Sequence, residues 1–120
     1  MNMTTKRFLI GLAAAILSCS ASAATYFETG ASLMKGWREH QKIMNSQVGE
    51  KNFMLASAFS GYVRGVADTR SEALGVPQGV TGDQICAIVG TYLENHPEEW
   101  NDVGSVLVEK ALRNAFRRKQ

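Results

Sequence analysis

The sequence predicts an all-α domain, a compact bundle of about four helices, on three observations. Apolar residues recur at intervals of three and four between residues 27 and 116, the period of a helix with one buried face. No stretch alternates apolar and polar residues as a half-buried strand does. Helix boundaries are also marked locally, most plainly at Thr81, where Gln84 follows at the spacing of a capping box.

In chain order, the first element is an export signal. Lys6-Arg7 precede an apolar run from Phe8 to Leu17, and Ala21-Ser22-Ala23 supplies the small-x-small pattern of a signal-peptidase site. Residues 1–23 therefore read as a signal peptide cleaved before Ala24, leaving residues 24–120 as a single periplasmic domain. Ten apolar residues are about half of the ~20 that a bilayer span requires, so a membrane anchor fits poorly. Ile16-Leu17-Ser18-Cys19 loosely resembles a lipobox, which would make Cys19 a lipid anchor. Leu17 is a less usual residue there, and the Ala-x-Ala site follows directly.

Loss of the signal removes Lys6 and Arg7 and leaves 11 basic against 11 acidic residues. The +2 of the whole chain thus belongs to the leader and gives no reason to expect a nucleic-acid partner. A neutral domain also has little colloidal repulsion, which favours self-association. Cys86 is then the single cysteine, so no disulfide can form within one subunit. Its place beside Ile85 and Val89 suits a small buried hydrophobe better than a reactive thiol.

The first helix is expected from Phe27 to about Met44, with Leu33, Trp37 and Met44 on its apolar side and Lys35, Glu39 and Lys42 elsewhere. His40 lies near that stripe and reads as a partly buried structural histidine. After the polar link Asn45–Gly49, a second helix is expected from Glu50 or Lys51 to about Leu74, burying Leu55, Phe59, Tyr62 and Val66. Ser57, Gly61 and Gly65 form a second stripe at i, i+4 and i+8. Glycine costs a helix about 1 kcal/mol relative to alanine. The stripe therefore predicts close approach of another backbone, either within the chain or from a second copy.

The third helix starts at the Thr81 cap and carries Ile85, Ile88, Val89, Tyr92 and Leu93 on one face until Asn95-His96-Pro97 stops it. Pro97-Glu98-Glu99 opens a further turn, with proline and two carboxylates suited to a helix start. A fourth helix carries Val108, Ala111, Leu112, Ala115 and Phe116, with Glu109 and Arg113 as an i, i+4 pair and Arg117–Lys119 at its negative end.

No catalytic constellation has convincing spacing. Cys86 lies mid-helix rather than at a helix N-terminus, so a thiol–imidazole pair with His40 or His96 has no local support. His96-Pro97-Glu98-Glu99 lacks the second histidine of a zinc helix, and Gly75, Gly79 and Gly82 lack the lysine of a phosphate loop. Neither metal nor cofactor is expected, and a binding module remains. Two corners carry unusual surface residues: Gly75–Thr81 with Gly82 and Asp83, and Glu98–Asp102, where Trp100 stands among acids. Tryptophans of this kind are favoured interface anchors, although the ring could equally fold back onto the core.

Four motifs in order carry a family resemblance: Gly61-Tyr62-Val63-x-Gly65-Val66-x-Asp68, Val76-Pro77-x-Gly79-Val80-Thr81-x-x-Gln84, Tyr92-Leu93-x-x-His96-Pro97-Glu98, and Leu107-Val108-x-x-Ala111-Leu112-x-x-Ala115-Phe116. The set, spanning about residues 53–116, resembles the type VI secretion amidase immunity (Tai) family. The resemblance implies a small helical periplasmic protein that protects its producer from a papain-like amidase injected by neighbouring kin. It also implies a homodimer that blocks the active-site groove of that enzyme. Family members often carry cysteines absent here; Ser60, Gly75 and Arg117 fall in or beside three of those places. Stability must then come from packing or from a subunit interface.

The resulting expectation is an inhibitor, not an enzyme. Gln78, Asp83, Glu98, Glu99, Trp100 and Asn101 would form a rigid projection into the amidase groove, and Ser57, Gly61 and Gly65 a dimer or close helix-packing face. The alternative is a periplasmic helical stress or chaperone-like protein with no amidase target.

Overall fold

A computed structural model describes residues 27–117, which form four α-helices and one 3-10 turn. The signal peptide, Cys19, Arg118 and Lys119 lie outside the described residues. The first helix, α1, is Gly30–Met44. It starts three residues later than the apolar pattern suggests, because Thr29 and Ser32 form a reciprocal capping box. Helix α2 is Phe53–Leu74. Asn52 caps it, its side chain accepting from the Leu55 N–H at 3.0 Å, while the Asn52 N–H donates to Glu39. Those two bonds place the start after Glu50 and Lys51. Gly75, at φ 68°, closes α2 in the left-handed conformation that glycine adopts without steric cost.

Helix α3 is Gly82–Asn95, with the expected Thr81–Gln84 capping box formed in both directions. Pro97–Glu99 is a single 3-10 turn, and Trp100–Asp102 breaks away from it before α4, Gly104–Ala115. Among the described residues there is no strand; Thr29 and Val103 make one isolated antiparallel bridge. No helix there is long and apolar enough to cross a membrane.

The core gathers one face of each helix, and two faces differ from the stripes that hydropathy marks. On α2 the buried residues are Ala56, Phe59, Val63, Ala67 and Leu74, while Leu55 stays 39% exposed and Tyr62 and Val66 are half-buried. The stripe is shifted by one residue because small side chains at 56 and 67 admit the neighbouring helices. On α3, Cys86 and Gly90 join Ile85, Val89 and Leu93 inside, and Ile88 and Tyr92 move to the margin. Met44 is 54% exposed and does not join the core.

The close backbone approaches fall elsewhere than at Gly61 and Gly65. A Cβ at either of those would meet nothing within 4 Å among the described residues, and Ser57 is exposed as well, so the stripe packs against no other described helix. The tight crossings are at Gly36 and Gly90. A Cβ on Gly36 would stand 2.6 Å from the Phe59 Cβ, and one on Gly90 would overlap the Trp37 indole. Trp37 is 6% exposed and stacks beside His40, which is itself buried as expected. Cys86 is fully buried, its thiol 3.8 Å from the Ser60 hydroxyl.

Candidate functional site

The two corners named by the sequence stand at opposite ends of α3. That helix has 14 residues, so at 1.5 Å per residue they are separated by about 20 Å. Gln78 and Asp83 belong to the entrance; Glu98, Glu99, Trp100 and Asn101 belong to the exit. The structure therefore does not bring the six into one projection.

At the exit, residues 96–103 are held from three sides. The α1 N-terminus clamps the loop: the Gly30 N–H donates to the Asp102 carbonyl at 3.1 Å and the Ala31 N–H to the Trp100 carbonyl at 2.8 Å. The Gly104 N–H returns a bond to the Glu28 carbonyl at 2.9 Å. Gly30 is required there, since a Cβ would come within 2.8 Å of the Trp100 Cα. Amide donors that an α-helix leaves unpaired in its first turn thus bind loop carbonyls instead of water.

From below, Glu99 is tied into the bundle. The Tyr92 hydroxyl donates to its Oε2 at 2.6 Å and the Lys110 ammonium to its Oε1 at 2.8 Å. Those two bonds hold the Glu99 carboxyl below the usual carboxylate range, and the same carboxylate raises Lys110. Burial, reinforced by the bond to Glu99, pushes the Tyr92 hydroxyl up to about 12. His96 stacks on Tyr92 at 4.0 Å, with its Nδ1 2.7 Å from the Tyr92 carbonyl. A carbonyl can only accept, so Nδ1 is the protonated nitrogen.

Trp100 folds back. Its indole N–H donates to the Leu93 carbonyl at 2.7 Å, one ring face packs on the core, and the Arg38 guanidinium lies 5.7 Å from the ring centroid. Glu98, Asn101 and Asp102 are the exposed members of the corner, and none of the three side chains has a partner among the described residues. Their backbone is fixed and their polar groups are available to another molecule.

At the entrance, Gly79 takes φ 88° in the turn that presents Gln78, which is exposed. Asp83 accepts from Arg64 at 2.7 Å in a solvent-exposed ion pair. Sequence reasoning had no way to name Gly30, Arg38 or Lys110 as supports, because each meets its loop partner from a different helix. Among the described residues no group of three or more histidine, cysteine or acidic side chains could hold a metal.

A family model for Rap1a immunity proteins matches residues 29–117, from the α1 cap through the end of α4. The chain belongs to that family. Membership in the Rap1a immunity proteins implies binding of a cognate effector as the chain's activity, and the matched span contains both corners. No curated protein and no solved structure matches the chain.

Proposed function

We propose that this Rap1a-family protein is a periplasmic antidote that binds a papain-like peptidoglycan amidase delivered by type VI secretion and fills its active-site groove. The observation that carries the reading is the exit corner, where Glu98 and Asn101 are offered on a loop pinned by α1, Tyr92 and Lys110. Occlusion needs a surface that keeps its shape, because every group immobilised on binding subtracts from affinity. Glu98 and Asn101 make the central contact, with the folded-back Trp100 ring offering only its outer margin; Gln78 and Asp83, about 20 Å away, belong to a separate contact. Glu99 supports the corner from inside.

The protein acts as a homodimer through the amino-terminal half of the exposed α2 face, from Phe53 to Gly65, which leaves Asp68 in the following turn uncovered. Ser57, Gly61 and Gly65 leave that face flat, and Phe53 and Met54 stand 64% and 82% exposed at its end. Exposed apolar surface of this kind marks an interaction site.

The test is titration of the mature chain, starting at Ala24, against a purified type VI amidase encoded beside it, cleaving peptidoglycan. Stoichiometric loss of cleavage with a co-eluting complex is expected. A chain that neither binds nor inhibits at micromolar concentration would overturn the amidase reading.

A further inference from the structure

A cleft of about 310 Å³ runs between α2 and the turn that leads into α3. Its volume is at the small end for ligand pockets, which suits one long side chain rather than a whole small molecule. The floor is apolar, made by Ala67, Val80 and Ile85. The rim is polar, carrying the Asp68 carboxylate, the Ser71 hydroxyl and the Gln78 amide. None of these three side chains has a hydrogen-bond or ion-pair partner among the described residues. The one cation on the lining, Arg64, is engaged at 2.7 Å by Asp83. Asp68 is therefore the ionised group of the cleft without an opposite charge.

We propose that this cleft receives a single lysine or arginine side chain from the bound effector, a role that rests on the antidote reading. The methylene stem lies along Ala67 and Val80, as long basic side chains do on apolar surface. The cationic head meets Asp68, and its remaining N–H donors reach Ser71 and Gln78, both able to accept. An anionic group would have to displace Asp83 from Arg64 and would face Asp68 directly. The cleft gives the α3 entrance a function separate from that of the exit corner. It also gives the end of the Gly61–Asp68 motif a use beyond the core.

Two measurements test the assignment. In the first, the purified protein is titrated with Nα-acetyl-lysine amide and followed by amide NMR shifts. Saturable shifts confined to residues 64–71 and 76–85, absent for Nα-acetyl-norleucine amide and abolished in Asp68→Asn, are expected. Equal shifts with both probes, or shifts elsewhere, would overturn the cation assignment. In the second, Asp68→Lys, at an exposed position, should weaken effector binding tenfold or more, and reversing one basic residue on the effector should restore it. Effector affinity unchanged by Asp68→Lys would overturn the proposal. A wild-type protein that saturates with the lysine probe but binds no amidase would sink the amidase reading alone and leave the cation-specific cleft standing.

Discussion

Glycine has opposite meanings at different positions of this chain. Gly90 is filled by the Trp37 indole, so Gly90→Ala should destabilise by about 1–3 kcal/mol through overpacking, read as a lowered urea midpoint. Gly61 faces open space in mid-helix, so Gly61→Ala should stabilise by about 0.5–1 kcal/mol in the same assay. Spacing alone singles out Gly61 and Gly65 because they recur four apart. It is blind to Gly36 and Gly90, whose partners Phe59 and Trp37 come from other helices. His40 makes a further prediction. Burial among Trp37 and Phe59 holds its imidazole below 6.5, with the Asp83 charge opposing and Arg64 reinforcing. The unfolded chain then binds the proton more readily, so stability is full above about pH 6.5 and declines as pH falls through the folded value. His40→Leu should flatten that decline when urea midpoints are compared at pH 7.5 and 5.5.

The helices themselves were largely legible, since their ends are set by contacts within four residues. The Thr81 box and the Gly75 exit lie where the sequence indicates. The start of α2 was less so, because Asn52 is fixed partly by Glu39 from the preceding helix. Asn52→Ala should cost about 1 kcal/mol and fray the first turn, measurable as faster amide exchange at Met54 and Leu55. On α2 the buried face lies one position from the apolar stripe at Ala56, Val63 and Ala67, while on α3 Ile85, Val89 and Leu93 are buried as the pattern indicates and only Gly90 is added in place of Ile88 and Tyr92. Alanine and glycine contribute little hydropathy, yet they allow helices to approach most closely. In the 96–103 turn the same logic governs charge. Tyr92→Phe removes one of two bonds holding Glu99, and its carboxyl should rise toward the ordinary range in an NMR titration. Acid that protonates Glu99 should loosen the corner, and alkali approaching the Tyr92 value of about 12 should do likewise.

For the molecule as a whole, the fold class and the immunity-protein character were readable, and the site only in part. The family that matches is Rap1a, and the motifs pointed to the amidase-immunity branch, which the match does not single out. Composition and capping give residue types and helix ends, but the distance between two loops is set by the helix between them. Exposed polar residues mark the entrance and the exit corner alike in the sequence, and α3 keeps the two apart. If α2 is the dimer face, Gly61→Arg should give a monomer by light scattering with an unchanged helical circular dichroism spectrum, since space there is open. If the exit corner is the effector contact, Glu98→Lys should weaken inhibition while leaving the dimer intact.

Cys86 gives the molecule a built-in clock. Its sulfur is sealed between α2 and α3 with no solvent exposure, so a thiol reagent can reach it only when those helices part. The rate at which an aromatic disulfide reagent labels the folded protein therefore measures how often the bundle opens. An effector that grips both ends of α3 should slow that rate.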